Sequence, residues 1–392
     1  MPLEASALAQ AAVELSVVMP CLNEAETLQI CIAKAQATLR AANICGEVIV
    51  ADNGSTDGSQ QIALECGARL VNVKQQGYGS ALRGGIAAAQ GKYVVMGDAD
   101  ASYDFSHIPR FLAELQAGSD LVMGNRFLGG IARGAMPRLH RYLGNPALTW
   151  LGRLFFKAPC GDFYCGLRGF KKDSYEKMGL RTAGMEFATE MVVKAALLGM
   201  RVSEVPTTLS PDGRTRPPHL RTWRDGWRGL RFLLLYSPRW LFLYPGIFLM
   251  LAGTILSGWL ITGPKHVGSV TFDVDTLIYA AISILLGFQA ITIALFAKVF
   301  AISQGLHPPD RKVERFFSYA NLETGLLLGA LIFFLGLGLS VYAVVSWRAQ
   351  HFGQLNTDQM LRLTMPAAVS MTLGSQVSLA SFFLSLLRIK RE

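Results

Sequence analysis

The chain has 392 residues, 37 Lys+Arg against 28 Asp+Glu, and a formal charge of +9. Half of it (51%) is hydrophobic and 17% is charged, with a mean hydropathy of +0.32. Those figures exclude a disordered chain and a small disulfide-stapled module, and the hydropathy is too high for an ordinary soluble enzyme.

Residues 1–15 form a lead with two glutamates, no basic start and no long apolar core. They do not read as a signal peptide, so the domain that follows is expected to stay in the cytoplasm. Residues 1–209 together, the lead and the domain of residues 16–209, are nearly neutral, at +1. Apolar, β-rich runs recur at 15–19, 48–51, 70–73, 93–96 and 120–123, with helical stretches at 24–42, 59–66, 80–89 and 108–117 between them. Strands alternating with helices predict an α/β domain with a mostly parallel sheet covered on both faces. Ligands of such sheets bind in the loops after the C-terminal ends of the strands. The six cysteines form no CxxC pair and read as free thiols in a reducing compartment.

Residues 210–239 hold seven arginines against Asp212 and Asp225, a balance of +5. On a helix over 222–235, Trp223, Trp227, Leu230 and Leu234 fall within about 60° of one another. Arg221, Arg224, Arg228 and Arg231 make a second stripe about 110° round from the first. A Trp/Leu face beside an Arg face suits the lipid interface. Nucleic acid is a poor partner for it, because the basic residues abut an apolar span.

Residues 240–392 carry +3 and contain four uncharged apolar runs, 240–263, 276–297, 324–347 and 363–387. Each is long enough to cross a hydrocarbon core of about 30 Å as a helix. The 298–323 loop holds Lys298, Arg311, Lys312 and Arg315, and the tail holds Arg388, Lys390 and Arg391. By contrast, 264–275 has only Lys265, and 348–362 has Arg348 and Arg362. The positive-inside rule therefore predicts a multi-pass protein with both termini and the N-terminal domain cytoplasmic. The spans lack ionisable side chains at mid-depth, which counts against a transporter. Gln289 and Gln376 read as helix–helix hydrogen bonders.

The run that points to chemistry is Met96-Gly-Asp-Ala-Asp-Ala-Ser-Tyr-Asp104, directly after a strand. Asp98 and Asp100 put two hard carboxylates in one loop, which suits Mg²⁺ or Mn²⁺ with positions left open for a diphosphate. Val18-Met-Pro-Cys-Leu-Asn-Glu24 ends the first strand, and Val50-Ala-Asp-Asn-Gly-Ser-Thr-Asp57 ends the second. Three acid-bearing loops would then converge on one edge of the sheet. With these three motifs, residues 15–210 resemble the family 2 glycosyltransferases of GT-A fold. More narrowly, the chain looks like the polyprenyl-phosphate sugar synthases of the dolichol-phosphate-mannose-synthase type.

That resemblance implies that Pro20, Asn23 and Glu24 lie against the nucleotide, that Asp52 reads the base or ribose, and that Asp98 and Asp100 flank the diphosphate. Asp100 is then the more direct metal ligand. Gly77-Tyr-Gly79 matches the family's glycine-rich turn, either as a tight turn or in direct contact with the nucleotide sugar. Arg126 and Arg141 match arginines that contact phosphates, and guanidinium forks suit a lipid-phosphate acceptor. Asp162, in a D-x-x-x-G-x-R segment, would face the sugar or hold an arginine. Arg168, Glu186 and Glu190 read as structural. Arg214 and Arg216 fit phosphate clamps. The sequence departs from the family pattern at Asn53, in place of a second acid, and at Ser102, where a third, amide ligand often stands.

The expected activity is inverting transfer of a monosaccharide from a nucleotide-diphosphate sugar, of the GDP-mannose or UDP-glucose type, to a polyprenyl phosphate. The partners are then the donor, the acceptor and the bilayer, and a homo-oligomer is compatible with this reading. One rival is a processive polysaccharide synthase, against which Tyr236-Ser-Pro-Arg-Trp240 keeps only the Arg-Trp of that group's Q-x-x-R-W helix. The other is a non-catalytic membrane module or flippase, which the intact Asp98/Asp100 pair and charge-free spans disfavour.

Overall fold

The computed structural model describes residues 13–215, 222–319, 321–354 and 356–388. Arg216 and Arg221, together with Lys390 and Arg391 of the tail, lie outside them. The chain divides into two compact units between Leu233 and Leu234.

The first unit runs β1 (Leu15–Cys21), α1 (Leu28–Ala41), β2 (Gly46–Asp52), α2 (Ser59–Glu65), β3 (Arg69–Asn72), α3 (Tyr78–Ala88), β4 (Tyr93–Met96) and α4 (Ile108–Gln116). It continues through β5 (Leu121–Asn125), α5 (Arg126–Gly129), α6 (Asn145–Phe156), β6 (Arg168–Lys171), α7 (Lys172–Met178), α8 (Glu186–Leu197), β7 (Val202–Pro206) and α9 (Thr222–Leu235). Seven strands form one sheet in the order β3-β2-β1-β4-β6-β5-β7. Only β6 runs against its neighbours, pairing antiparallel with β4 and β5.

Burial explains which segments became strands. In β1, Leu15, Val17, Val18 and Met19 are all fully buried, the near-continuous apolar run of a strand covered on both faces. Helix α1 buries Leu28, Cys31, Ile32, Ala35 and Leu39, a stripe at helical spacing that packs on the same core. The order reverses at β1, with β2 and β3 to one side and β4 to the other. Such a switch point opens a crevice at the strand ends, and the acidic loops after β1, β2 and β4 all lie at that edge.

The second unit contains α10 (Tyr244–Leu260), a hairpin of β8 (Lys265–Val267) and β9 (Val270–Phe272), α11 (Val274–Ser303), α12 (Arg311–Tyr319), α13 (Leu322–Ala349) and α14 (Thr357–Arg388). Four helices, Arg239–Leu260, Val274–Ser303, Leu322–Ala349 and Thr357–Leu387, are long and apolar enough to cross a membrane. The apolar runs of the sequence fall short of α11 and α13 at both ends and of α14 at its start, because helix formation continues beyond the hydrocarbon-length core. Small residues let the helices approach closely: a Cβ on Gly329 of α13 would lie 2.7 Å from the carbonyl oxygen of Gly374 in α14. Gln376 Nε2 donates to Gln289 Oε1 at 3.2 Å, a polar tie between α14 and α11. Arg362, in the first turns of α14, bonds Asp273 and the carbonyl of Leu260.

Candidate functional site

Loops after β1 and β2 are knitted together by short hydroxyl and carboxylate side chains. Asn23, at φ +59°, receives a hydrogen bond from the Thr56 N–H (2.7 Å) and donates its own N–H to Ser55 Oγ (2.8 Å). The Glu24 N–H donates to Ser59 Oγ (2.9 Å), and the Ala25 N–H to Asp57 (2.9 Å). Asp52 is buried, and its carboxylate accepts from the N–H groups of Gly54 (3.0 Å) and Ser55 (3.1 Å) and from Gln60 Nε2 (2.7 Å). Its first task is thus to shape the turn beside Pro20 and Asn23.

Asn53 has a reason to be an amide. Its Nδ2 donates to the carbonyls of Val73 (3.0 Å) and Gln75 (2.8 Å), while Oδ1 accepts the Gly77 N–H (2.7 Å). A carboxylate there would set negative oxygen against two carbonyl oxygens. The clamp fixes the approach to α3, where Gly77 sits at φ +126° and a Cβ would lie 2.3 Å from Ala183 O. Gly79 presses on Thr182 O in the same way. The glycine turn is therefore packed against the 182–183 segment. Glu190, fully buried, holds that segment by accepting N–H groups of Arg181 (3.0 Å) and Thr182 (2.9 Å), and pairs with Lys194 at 3.0 Å. Burial opposes its charge, but Thr182 and Lys194 hold its pKa below the ordinary value.

At the end of β4, Asp98 accepts a hydrogen bond from Tyr78 Oη (2.9 Å). The tyrosine sits between the two glycines just described, and sequence reasoning passed over it. Gly166 must be glycine, since a Cβ would lie 2.6 Å from Asp98 Oδ2. Desolvation, followed by the charge of Asp100, pushes the Asp98 carboxyl up to about 6 against the pull of Tyr78 and Arg214. Asp100 accepts from the Ser102 N–H (3.0 Å) and Oγ (2.5 Å), so Ser102 orients the carboxylate.

The other oxygen of Asp100 pairs with Arg214, whose Nη1 is 3.3 Å from Glu24 Oε1. Arg214 rides on a strap, 210–215, laid across the loop after β4. The Ser210 N–H donates to Ser102 O (2.9 Å), the Gly213 N–H to Asp100 O (3.0 Å), and the Thr215 N–H to Glu26 (2.8 Å). Burial disfavours the guanidinium charge, yet Asp100 and Glu24 raise its pKa above the ordinary value.

A second arginine is held quite differently. Arg126, at the start of α5, is gripped from two sides by the fully buried Asp162, Nε to Oδ2 at 2.6 Å and Nη2 to Oδ1 at 2.8 Å. Asp162 also accepts the N–H groups of Arg126 (3.1 Å) and Tyr164 (3.3 Å), so its oxygens are committed to holding an arginine. Arg168, fully buried, donates to the carbonyls of Cys165, Phe163 and Ala188 and is a structural brace. Arg141 lies in a π turn, His140–Gly144, ahead of α6, with its guanidinium 5.6 Å from the Tyr142 ring. Four of the six free cysteines are buried, and burial pushes Cys31 and Cys160 up to about 12, which makes them inert.

Among the described residues no three His, Cys, Asp or Glu side chains converge as a metal cage. The two carboxylates in the loop after β4 fit a cation whose coordination a diphosphate completes, and burial beside Asp100 disfavours the charge of Asp98. In this structure Arg214 supplies positive charge to Asp100.

A mostly parallel sheet, an acidic strand-end crevice lined by arginines and four apolar helices define a membrane glycosyltransferase with a GT-A domain. Residues 16–179 match the family model described as glycosyl transferase family 2, and residues 295–388 match the family 2 C-terminal transmembrane region. The chain is 35% identical over 372 residues to a low-salt glycan biosynthesis hexosyltransferase, Agl6, of Haloferax volcanii, covering 94% of this chain and 88% of that protein. It is 31% identical over 193 residues to a dolichyl-phosphate hexose transferase of the same organism, covering 49% of this chain and 81% of that protein. A solved structure, glucosyl-3-phosphoglycerate synthase of Mycobacterium tuberculosis with Mn²⁺, UDP and glucosyl-3-phosphoglycerate, overlaps with a TM-score of 0.44 at 23% identity, covering 57% of this chain and 80% of that one, too distant to argue from. The chain belongs to glycosyltransferase family 2.

Proposed function

We infer that the protein transfers one monosaccharide from a nucleotide-diphosphate sugar of the GDP-mannose or UDP-glucose type to a polyprenyl phosphate at the cytoplasmic membrane face. The observation that carries this reading is the convergence of Asp98 and Asp100 with Arg214 at the switch-point edge. Pro20, Asn23, Glu24 and Asp52 line the nucleotide side of that edge, with Gly77 and Gly79 supporting it. Mg²⁺ or Mn²⁺, held by Asp98 and Asp100, would neutralise the diphosphate leaving group.

The chain's own residues do the rest. An acceptor phosphate is already ionised at neutral pH, so the reaction needs orientation more than a base. A phosphate oxygen attacks the anomeric carbon as its bond to the diphosphate oxygen breaks, and one displacement inverts that centre. Arg126, aimed by Asp162, and Arg141 are assigned to the acceptor phosphate. Arg214 is assigned to the departing diphosphate, with Arg216 as a second clamp. The loop charges support a topology with both termini cytoplasmic.

The test is a panel of radiolabelled UDP- and GDP-sugars incubated with the purified protein in membranes and polyprenyl phosphate. Solvent-extractable label from one donor is the expected result. Long polymer would favour a processive synthase, and no nucleotide release with any donor would sink the enzymatic reading of this site.

A further inference from the structure

The two carboxylates of the loop after β4 are already held by the chain before any ligand arrives. Each oxygen of a carboxylate has a pair of acceptor positions. In Asp100, Oδ1 takes the Ser102 N–H at 3.0 Å and the Ser102 hydroxyl at 2.5 Å, which spends both. Its Oδ2 is left for a cation, and here it meets Arg214. In Asp98, Oδ1 takes the Tyr78 hydroxyl at 2.9 Å, and Oδ2 lies so near Gly166 that a Cβ there would come within 2.6 Å. Gly166 is itself pinned, its N–H donating to Tyr103 Oη at 2.8 Å. Nor can Tyr78 draw back. The glycines on either side of it press on the carbonyls of Ala183 and Thr182, and the Ser80 N–H donates to Ala183 O at 3.1 Å. Neither carboxylate can turn both oxygens to one ion without giving up a hydrogen bond.

We propose that Tyr78 and Ser102 are positioning residues that hold Asp98 and Asp100 to one metal-facing oxygen each, and that this restraint is what excludes Ca²⁺ from the crevice. This rests on the reading above that the two carboxylates hold a divalent cation, and it names what sets the choice of ion. Ca²⁺ takes about six to eight oxygens in a loose shell, often through a bidentate carboxylate, whereas Mg²⁺ needs a near-ideal octahedron. Two carboxylates that give one oxygen each leave the remaining corners of an octahedron to diphosphate oxygens and water. For the larger ion they supply too few ligands. Ser102, standing where an amide ligand was expected, spends its hydroxyl on Asp100 and acts on the ion only through that carboxylate. Tyr78 acts in the same indirect way through Asp98.

The test loads the donor-free full chain, in nonionic detergent, with Mn²⁺ and displaces it with Mg²⁺ or with Ca²⁺, following the electron paramagnetic resonance signal of free Mn²⁺. In the unaltered chain Mg²⁺ is expected to displace Mn²⁺ at lower concentration than Ca²⁺. Tyr78→Phe keeps the ring and should narrow the gap between the two midpoints by about fivefold, through stronger Ca²⁺ binding, at an unchanged melting temperature. Ser102→Ala keeps its N–H bond and should narrow the gap less. Equal midpoints in the unaltered chain overturn the restraint. A gap unchanged by Tyr78→Phe overturns the role of Tyr78, and one unchanged by Ser102→Ala that of Ser102. Equal weakening of every cation together with a lower melting temperature makes the two residues merely structural and overturns the proposal. Failure of the unaltered chain to hold Mn²⁺ brings down the cation reading of Asp98 and Asp100 itself, which the other outcomes leave standing.

Discussion

The catalytic unit holds two arginine–carboxylate pairs, and they are built for different tasks. Arg126–Asp162 is closed, with both partners buried, two parallel hydrogen bonds, and backbone N–H groups filling the remaining acceptor capacity. Arg214 instead sits on a strap, with its charge divided among Asp100, Glu24 and, at 3.7 Å, Asp212. A saturated pair fixes geometry. A shared one can be exchanged when a better charge arrives. The site thus combines one rigid cation and one replaceable cation.

The contrast breaks most directly at Asp162. Asp162→Ala strands a buried guanidinium, and the catalytic unit should lose about 3–5 kcal/mol, seen as a fall in melting temperature in detergent. An unchanged melting temperature would show that the closed pair is not structural. Asp100→Ala should do the opposite, leaving the melting temperature nearly intact while transfer falls by roughly 10²–10³-fold or more, as for loss of a leaving-group stabiliser. Near-normal turnover there would sink the metal assignment.

Two smaller effects sharpen the exchangeable side. Asp98 titrates near 6, a raised value, so its protonated form persists to higher pH than for an ordinary carboxyl. Divalent-cation affinity, measured by calorimetry, should be flat above that pH and weaken by about tenfold per unit below it, as protons compete for one ligand. A curve flat down to pH 4.5 would remove Asp98 from the cation site. Arg214→Ala takes away the competing charge, so the donor-free protein should bind the cation more tightly by about 1 kcal/mol, roughly fivefold, while the KM for the donor rises. Weaker cation binding would mean that Arg214 helps to shape the carboxylates and does not compete for them.

The sequence made some of this legible and hid the rest for physical reasons. Strands β1, β2, β4 and β5 announce themselves as apolar runs, because a strand covered on both faces has no other way to be written. Strand β6 was missed. Four residues beginning Arg168-Gly169 carry no such run, and their burial comes from an arginine braced on three carbonyls. The acidic loops could be placed at one sheet edge from their positions after strands. What could not be read was which oxygens were already engaged: Asp52 by its own turn, Asp162 by Arg126, Asp100 by Ser102 and Arg214. The arginine pairings are tertiary contacts over as many as 114 residues, and motif spacing does not encode them. Tyr78 was hidden differently, lodged between two glycines that drew the attention.

Thr215 grips Glu26 across 189 residues of chain. The strap that completes the crevice is therefore nearly the last part of the catalytic unit to leave the ribosome, and the first membrane-crossing helix starts at Arg239, close behind it. Maturation of the site and insertion of the chain are thereby set next to each other in time. Anyone excising a soluble fragment has little room for the cut: ending at 209 discards Arg214 and the clasp on Glu26, and going much further brings the first span along.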